Sequence, residues 1–124
     1  MVLILDDEPK VREMGRRFLH AAGYGCVEAE SIDGAIEVLR TTSVIAAILD
    51  IRLPGPHTGV DLLKALRELD EFREIPVLIM TGSVLTDIEE AAITKQRGFL
   101  FYKPEGFGTI VSFLDQLTGR DRSH

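Results

Sequence analysis

The sequence predicts an α/β fold, a parallel sheet of five strands doubly wound by five helices, and three observations carry that prediction. Short apolar runs alternate five times with segments of helical period, as successive βαβ units do. Three of the runs are apolar without interruption, as strands buried on both faces are. A chain of 124 residues suffices for one hydrophobic core and not two, so the whole alternation belongs to one domain.

The first strand is read over Val2–Leu5. Pro9 suits the first position of the helix that follows, whose apolar stripe is Val11, Met14, Phe18 and Ala22 and which closes at Gly23. A weaker run over residues 24–29 fits an edge strand. Ser31 caps the second helix, striped by Ile32, Ala35, Ile36 and Leu39. Residues 44–49 form the third strand. Thr58 with Asp61 resembles a capping box opening the third helix, whose stripe is Leu62, Leu63, Leu66 and Leu69. Residues 76–80 form the fourth strand, and Thr86 with Glu89 opens the fourth helix. Its apolar face is small, made of Ile88, Ala91 and Ala92, and Gly98 closes it. The fifth strand is Phe99–Tyr102, and Ile110, Phe113, Leu114 and Leu117 stripe the fifth helix. The domain is expected over residues 1–118, with 119–124 as a C-terminal tail.

A net charge of −6 and a pI near 5.0 repel a phosphate backbone, so no direct nucleic-acid partner is expected. Lys10, Arg12, Arg16 and Arg17 form a local exception, read as a solvated helix surface. No apolar run approaches the roughly 20 residues of a membrane span, and the first residues lack the basic region of a signal peptide. A cytoplasmic protein without a membrane partner is the expectation. Cys26 has no second thiol to pair with and is read as a small hydrophobe.

The chemistry gathers where strands end. Asp6 and Asp7 follow the first strand, Asp50 the third, Thr81 the fourth and Lys103 the fifth. Open α/β sheets bind ligands outside the carboxyl ends of their strands, where strand order reverses. In the common order 2-1-3-4-5 that point lies between strands one and three, which carry the three aspartates. Converging carboxylates repel unless their pKa values rise or a cation neutralises them. Mg²⁺ takes one or two carboxylates together with a phosphate, and the crevice lacks the Cys and His that zinc prefers. Thr81 and Lys103 add a hydroxyl and an ammonium, aimed at the oxygens of a group on Asp50. An aspartate carboxylate can be the nucleophile that forms an aspartyl phosphate. Asp50, alone at the end of the central strand, is the natural candidate.

The stretches Ile4-Leu5-Asp6-Asp7-Glu8-Pro9, Ile48-Leu49-Asp50-Ile51-Arg52-Leu53-Pro54, Ile79-Met80-Thr81-Gly82 and Tyr102-Lys103-Pro104 resemble, in order and spacing, the receiver domains of bacterial response regulators. The resemblance covers essentially the whole chain and implies the CheY-like, flavodoxin-like fold with order 2-1-3-4-5. It further implies a two-component signalling domain whose Asp50 is phosphorylated, and which catalyses only its own phosphotransfer and dephosphorylation. Asp7 and Asp50 would ligate Mg²⁺ (or Mn²⁺) directly, Asp6 through a water, and the backbone carbonyl of Arg52 would be the third protein ligand. Thr81 and Lys103 would bond phosphoryl oxygens, Gly82 would leave room at the mouth, and the Lys103 to Pro104 bond would be cis, as in many relatives. Implied partners are a sensor histidine kinase or histidine phosphotransfer protein as donor, and a downstream protein or fused output domain as target. The oligomeric state expected is monomer or weak dimer.

Two departures from that family pattern stand out. The position three before the lysine, aromatic in most relatives, is Leu100, which makes Leu100 with Thr81 the switch pair; Phe99 and Phe101 point to the other side of the sheet and are expected in the core. The loop from Pro54 to Gly59 is one residue longer than usual, and its His57 is read as solvated. Arg52 and Ser83 hold the variable positions that in the family tune phosphoryl lifetime. Three rival classes share this topology. A pseudo-receiver would signal through protein contacts without phosphorylation. A phosphohydrolase would need an acid just after the nucleophile, where Ile51-Arg52 supplies none, and a flavin-binding protein would need a phosphate-cradling loop where Asp6-Asp7-Glu8 stands.

Overall fold

The computed structural model describes residues 1–53, 55–103 and 106–119. Ten main elements alternate along the chain: β1 (Val2–Leu5), α1 (Pro9–Ala21), β2 (Cys26–Ala29), α2 (Ile32–Thr41), β3 (Ala46–Leu49), α3 (Gly59–Glu68), β4 (Val77–Thr81), α4 (Asp87–Lys95), β5 (Phe99–Tyr102) and α5 (Gly106–Thr118). All neighbouring strands are parallel and the sheet order is β2-β1-β3-β4-β5, as expected. Among the described residues no helix is long and apolar enough to cross a membrane.

Strand periodicity divides the core into two. Leu3, Leu5, Ala47, Leu49, Val77 and Ile79 face α2, α3 and α4. Val2, Ile4, Ala46, Ile48, Leu78 and Met80 face α1 and α5. Alternate side chains on a strand point to opposite faces, so these uninterrupted apolar strands fill both cores at once.

The predicted caps form: Ser31 Oγ accepts from Gly34 N–H, and Thr58 with Asp61 and Thr86 with Glu89 make reciprocal capping boxes. Pro9 opens α1, and Gly23, at φ 87°, closes it in the left-handed conformation. The end of α4 corrects the reading of Gly98. The left-handed residue there is Arg97, at φ 60°. Gly98 serves a different need, because a Cβ on it would lie 2.9 Å from Leu63 Cδ2.

Two helical stripes, those of α1 and α4, are rotated from their predicted faces. In α1, Met14 and Phe18 are exposed, while Gly15 and Leu19 are buried. Gly15 sets that rotation: a Cβ there would lie 2.8 Å from Ile4 and 2.9 Å from the Phe107 ring, so only glycine lets α1 sit this close to β1 and α5. In α4, Ile88 is 83% exposed and Ile93 is the buried residue. Ile36 lies on the outer edge of the α2 stripe, as Leu117 does in α5, and Leu69 falls just past the end of α3, where it is exposed. Phe101 is buried against Phe113 as expected, but Phe99 is 37% exposed on the rim of the same aromatic cluster.

Tyr24 is not part of β2. It lies buried before the strand, and its hydroxyl donates to Asp115 Oδ1 at 2.6 Å. The predicted cis bond between Lys103 and Pro104 and the tail beyond Gly119 lie outside the described residues.

Candidate functional site

Register brings the chemistry together. Leu5 of β1 pairs with Leu49 of β3, so Asp6 and Asp50 leave the sheet side by side, with Asp50 N–H donating to the Leu5 carbonyl at 2.8 Å. Both side chains are buried, Asp6 at 1% exposure and Asp50 at 5%. Lys103, just past β5, reaches across to them from the far side of β4.

The Lys103 ammonium stands 3.2 Å from Asp50 Oδ2, 3.4 Å from Asp6 Oδ2 and 2.9 Å from Glu8 Oε1. Burial works against its charge, but the hydrogen bond to Glu8 and the charges of Asp50 and Asp6 outweigh it and hold its pKa above the ordinary lysine value. Asp6 is in the opposite position. Burial pushes its carboxyl above the usual aspartate range, although the Glu8 N–H donates to Oδ1 at 2.9 Å, and the neighbouring Asp50 charge adds to the rise. Oδ2 of Asp6 has no hydrogen bond at all.

Asp7 is exposed beside this pair. Asp6, Asp7 and Glu8 each bring one oxygen within 4.8 Å of the others, the single such metal-sized group among the described residues. The donor set consists of hard carboxylate oxygens, and the Asp6 carboxylate that contributes to it has a buried oxygen with no hydrogen bond, so the set fits a hard divalent cation such as Mg²⁺.

Thr81 is fully buried at the end of β4, and its hydroxyl accepts from the Ser83 N–H at 3.1 Å, which orients it at the same edge without joining it to the carboxylates. Gly82 is exposed, and a methyl on it would touch the Lys103 stem at 3.5 Å, an ordinary contact. Leu100 pairs with Ile79 in the sheet and packs, partly buried, against the core shared with α3 and α4. His57 is exposed, 3.7 Å from Asp61, as expected of a solvated loop histidine. The basic cluster of α1 is largely spent on local pairs: Arg12 and Arg16 meet Glu28, and Arg17 meets Glu13.

Three participants escaped the sequence reading. Glu8 was visible only as part of a helix start, yet makes the shortest of the three contacts with Lys103. Gly59, the first residue of α3, packs on the Asp50 backbone so closely that any side chain would run into the Asp50 carbonyl. Glu89, read only as a capping residue, also accepts a bidentate pair from the Arg52 guanidinium at 2.6 and 3.0 Å. No sequence signal joins positions 52 and 89.

Comparison with known proteins agrees with this architecture. The chain matches the response regulator receiver domain family over residues 2–115. It is 33% identical over 104 residues to the DNA-binding transcriptional regulator NtrC of Klebsiella pneumoniae, covering 84% of this chain and 21% of that protein. It is 36% identical over 81 residues to the phosphate regulon regulatory protein PhoB of Pseudomonas aeruginosa, covering 65% of this chain and 35% of that protein. The chain therefore spans only about a fifth to a third of these curated relatives. Chemotaxis protein CheY4 of Vibrio cholerae shares the fold, with a TM-score of 0.82 at 23% identity over 93% of this chain and 95% of that one. With the sheet order and the carboxyl-end cluster of β1 and β3 already in place, the family match identifies the chain as a response regulator receiver domain, a signalling module of two-component systems.

Proposed function

We propose that this receiver takes a phosphoryl group onto Asp50 from the phosphohistidine of a sensor histidine kinase or histidine phosphotransfer protein, and signals by a change of conformation. The observation that carries the proposal is the Lys103 ammonium, placed between Asp50 and Asp6 where β1 and β3 part. A carboxylate oxygen of Asp50 attacks phosphorus, the new P–O bond forms as the P–N bond breaks, and the electron pair leaves on the donor's imidazole. Such a transfer needs in-line positioning and charge neutralisation more than acid or base catalysis. Lys103 neutralises one oxygen, and Thr81 donates its hydroxyl to another after release from Ser83 N–H.

Asp6, Asp7 and Asp50, with the backbone carbonyl of Arg52, would hold Mg²⁺ (or Mn²⁺), which neutralises phosphoryl charge when bound. Glu8 lies beside this set. The remaining roles belong to the chain itself: Gly59 fixes the Asp50 backbone, and Leu5 fixes its N–H. Residues 1–118 act as the receiver unit, in the cytoplasm, with output passing to a downstream protein or a fused domain. DNA binding in the regulators it resembles belongs to those longer proteins.

Incubation with phosphoramidate and Mg²⁺, followed by intact-mass measurement and mapping of the modified residue, tests the reading. The parent should gain one phosphoryl group on Asp50 and Asp50→Asn none. Equal labelling of both would overturn the site, and an unlabelled parent that still binds its partners would favour the pseudo-receiver alternative.

A further inference from the structure

Helix α4 is held unevenly along its length. Its C-terminal end is fastened by Arg67 of α3, whose Nε donates to the Gln96 carbonyl at 2.8 Å while the same guanidinium serves the carbonyls of Phe72, Arg73 and Ile75. Just past that end, Gly98 N–H donates to the Ile93 carbonyl at 2.9 Å, and Gly98 packs against Leu63. Ile93, near this end, is the helix's one buried residue.

The N-terminal end has much less. Val84 and Ile88 are 92% and 83% exposed, and buried Leu85 anchors the loop ahead of the helix rather than the helix itself. What reaches the first turn of α4 is Arg52. Its guanidinium grips both oxygens of Glu89 and also donates to the Val84 carbonyl at 3.4 Å. Glu89 simultaneously caps the helix by accepting from Thr86 N–H at 3.0 Å, so the clasped carboxylate is the one that organises the helix start.

Arg52 also belongs to the Asp50 loop. Its backbone N–H donates to Asp50 Oδ1 at 3.3 Å, and its guanidinium feels the attraction of the Asp50 charge. One residue thus touches Asp50 with its backbone and α4 with its side chain. A phosphoryl group on Asp50 adds about 1.5 to 2 negative charges and acceptor oxygens that a guanidinium binds bidentately.

Resting on the phosphoacceptor reading of Asp50, we propose that the Arg52–Glu89 pair is a latch that holds the N-terminal end of α4 in the unmodified protein. Phosphorylation of Asp50 draws Arg52 away, and α4 then pivots about the end fastened by Arg67. The latch gives this chain a route from Asp50 to α4 that needs no aromatic ring at position 100.

Hydrogen exchange of the α4 amides tests it in the whole chain, with parent, Arg52→Ala, Glu89→Gln and the double variant. Gln preserves the capping bond and removes only the charge. In the unmodified proteins, both single variants should exchange about two- to fivefold faster over residues 87–95, the double variant no faster than either, and α5 unchanged. After labelling with phosphoramidate, the parent should rise to the level of the variants, and Glu89→Gln, which still accepts label, should change little. Unmodified variants that exchange like the parent would overturn the latch, whatever happens at Asp50. A labelled parent that keeps the full Arg52–Glu89 coupling would show a static strut and overturn the release. Failure of Asp50 to label, seen by mass, would instead sink the phosphoacceptor reading and with it the release step, while the unmodified comparison still decides whether the pair holds α4.

Discussion

Lys103 and Asp50 face one another at 3.2 Å across the carboxyl edge of the sheet, and the same ammonium is shared with Asp6 and Glu8. On the proposed reading of the site, a cation held by three carboxylates would compete with a metal for them but would assist an incoming phosphoryl group. The two roles separate on removal of the charge.

Lys103→Met should therefore bind Mg²⁺ more tightly than the parent, because the acidic cluster loses its internal counterion. Its labelling by phosphoramidate at saturating Mg²⁺ should nevertheless slow by roughly a hundredfold, the scale for losing one charge-stabilising group in a preorganised site. Metal titration and labelling kinetics on the same sample check both halves. Changes of both in one direction would contradict the shared-cation account.

Asp6 bears a desolvation cost that its contacts do not fully offset, since Oδ2 makes no hydrogen bond and has only the Lys103 ammonium at 3.4 Å. Asp6→Asn should stabilise the metal-free protein by about 1 kcal/mol, because burial disfavours the charge of Asp6 and Lys103 keeps Asp50 and Glu8 as partners. Mg²⁺ at a hundredfold over its Kd should add about 2.7 kcal/mol to the parent, and much less to the variant. Thermal melts with EDTA and with Mg²⁺ provide the four numbers.

Gly59→Ala tests the contact that fixes the Asp50 backbone. The added methyl would collide with the Asp50 carbonyl, and overpacking of this kind costs about 1–3 kcal/mol. Because the strain falls on Asp50 itself, labelling should slow more than the lost stability explains. Denaturant unfolding alongside labelling at a temperature where both proteins stay folded separates the two effects.

The strands, the caps and the carboxyl-end cluster were legible because each rests on local rules: apolar runs of strand length, a Ser or Thr three residues before its partner, acids following strands; the sheet order came from the commonest order of such sheets and from the family resemblance. Stripe orientation was less so. The α1 stripe through Met14 and Phe18 satisfied the helical period as well as the true one through Gly15 and Leu19, and hydrophobicity alone favoured the larger residues. Close approach of α1 to Ile4 and Phe107, a tertiary fact, decides for Gly15. The α4 stripe failed for a related reason, since a surface helix anchored by polar contacts need not bury Ile88. The Arg52–Glu89 and Tyr24–Asp115 pairs join positions 37 and 91 residues apart, where no periodicity operates.

Tyr24 and Asp115 tie the turn before β2 to α5 inside the core. Tyr24→Phe keeps the ring and removes the hydroxyl, and with it the bond to the buried Asp115 carboxyl at 2.6 Å and the contact with Thr118 Oγ1 at 2.9 Å. A loss of about 1.5–3 kcal/mol is expected, with labelling of Asp50 unaffected because the pair lies away from the site. Chemical denaturation of parent and variant measures it.

Glu89 offers a pH signature for the clasp. The Arg52 guanidinium, together with the Thr86 N–H, pulls its carboxyl down from the ordinary value of 4.5 to about 2. A depressed folded-state pKa contributes stability above the unfolded value, lost as pH falls through the folded one. The contribution should thus be constant from neutral pH to about 5 and fade between about 4.5 and 2, small in size because the pair lies at the surface. In a carboxyl-detected NMR titration, Glu89 of the parent should have its midpoint near 2. Arg52→Ala should move that midpoint well up toward the ordinary glutamate range. It should stop short of it, because the Thr86 N–H still favours the ionised form. A midpoint near 4.5 in the parent would mean that the guanidinium does not grip Glu89 in solution, and the first turn of α4 would then rely on the Thr86 capping box.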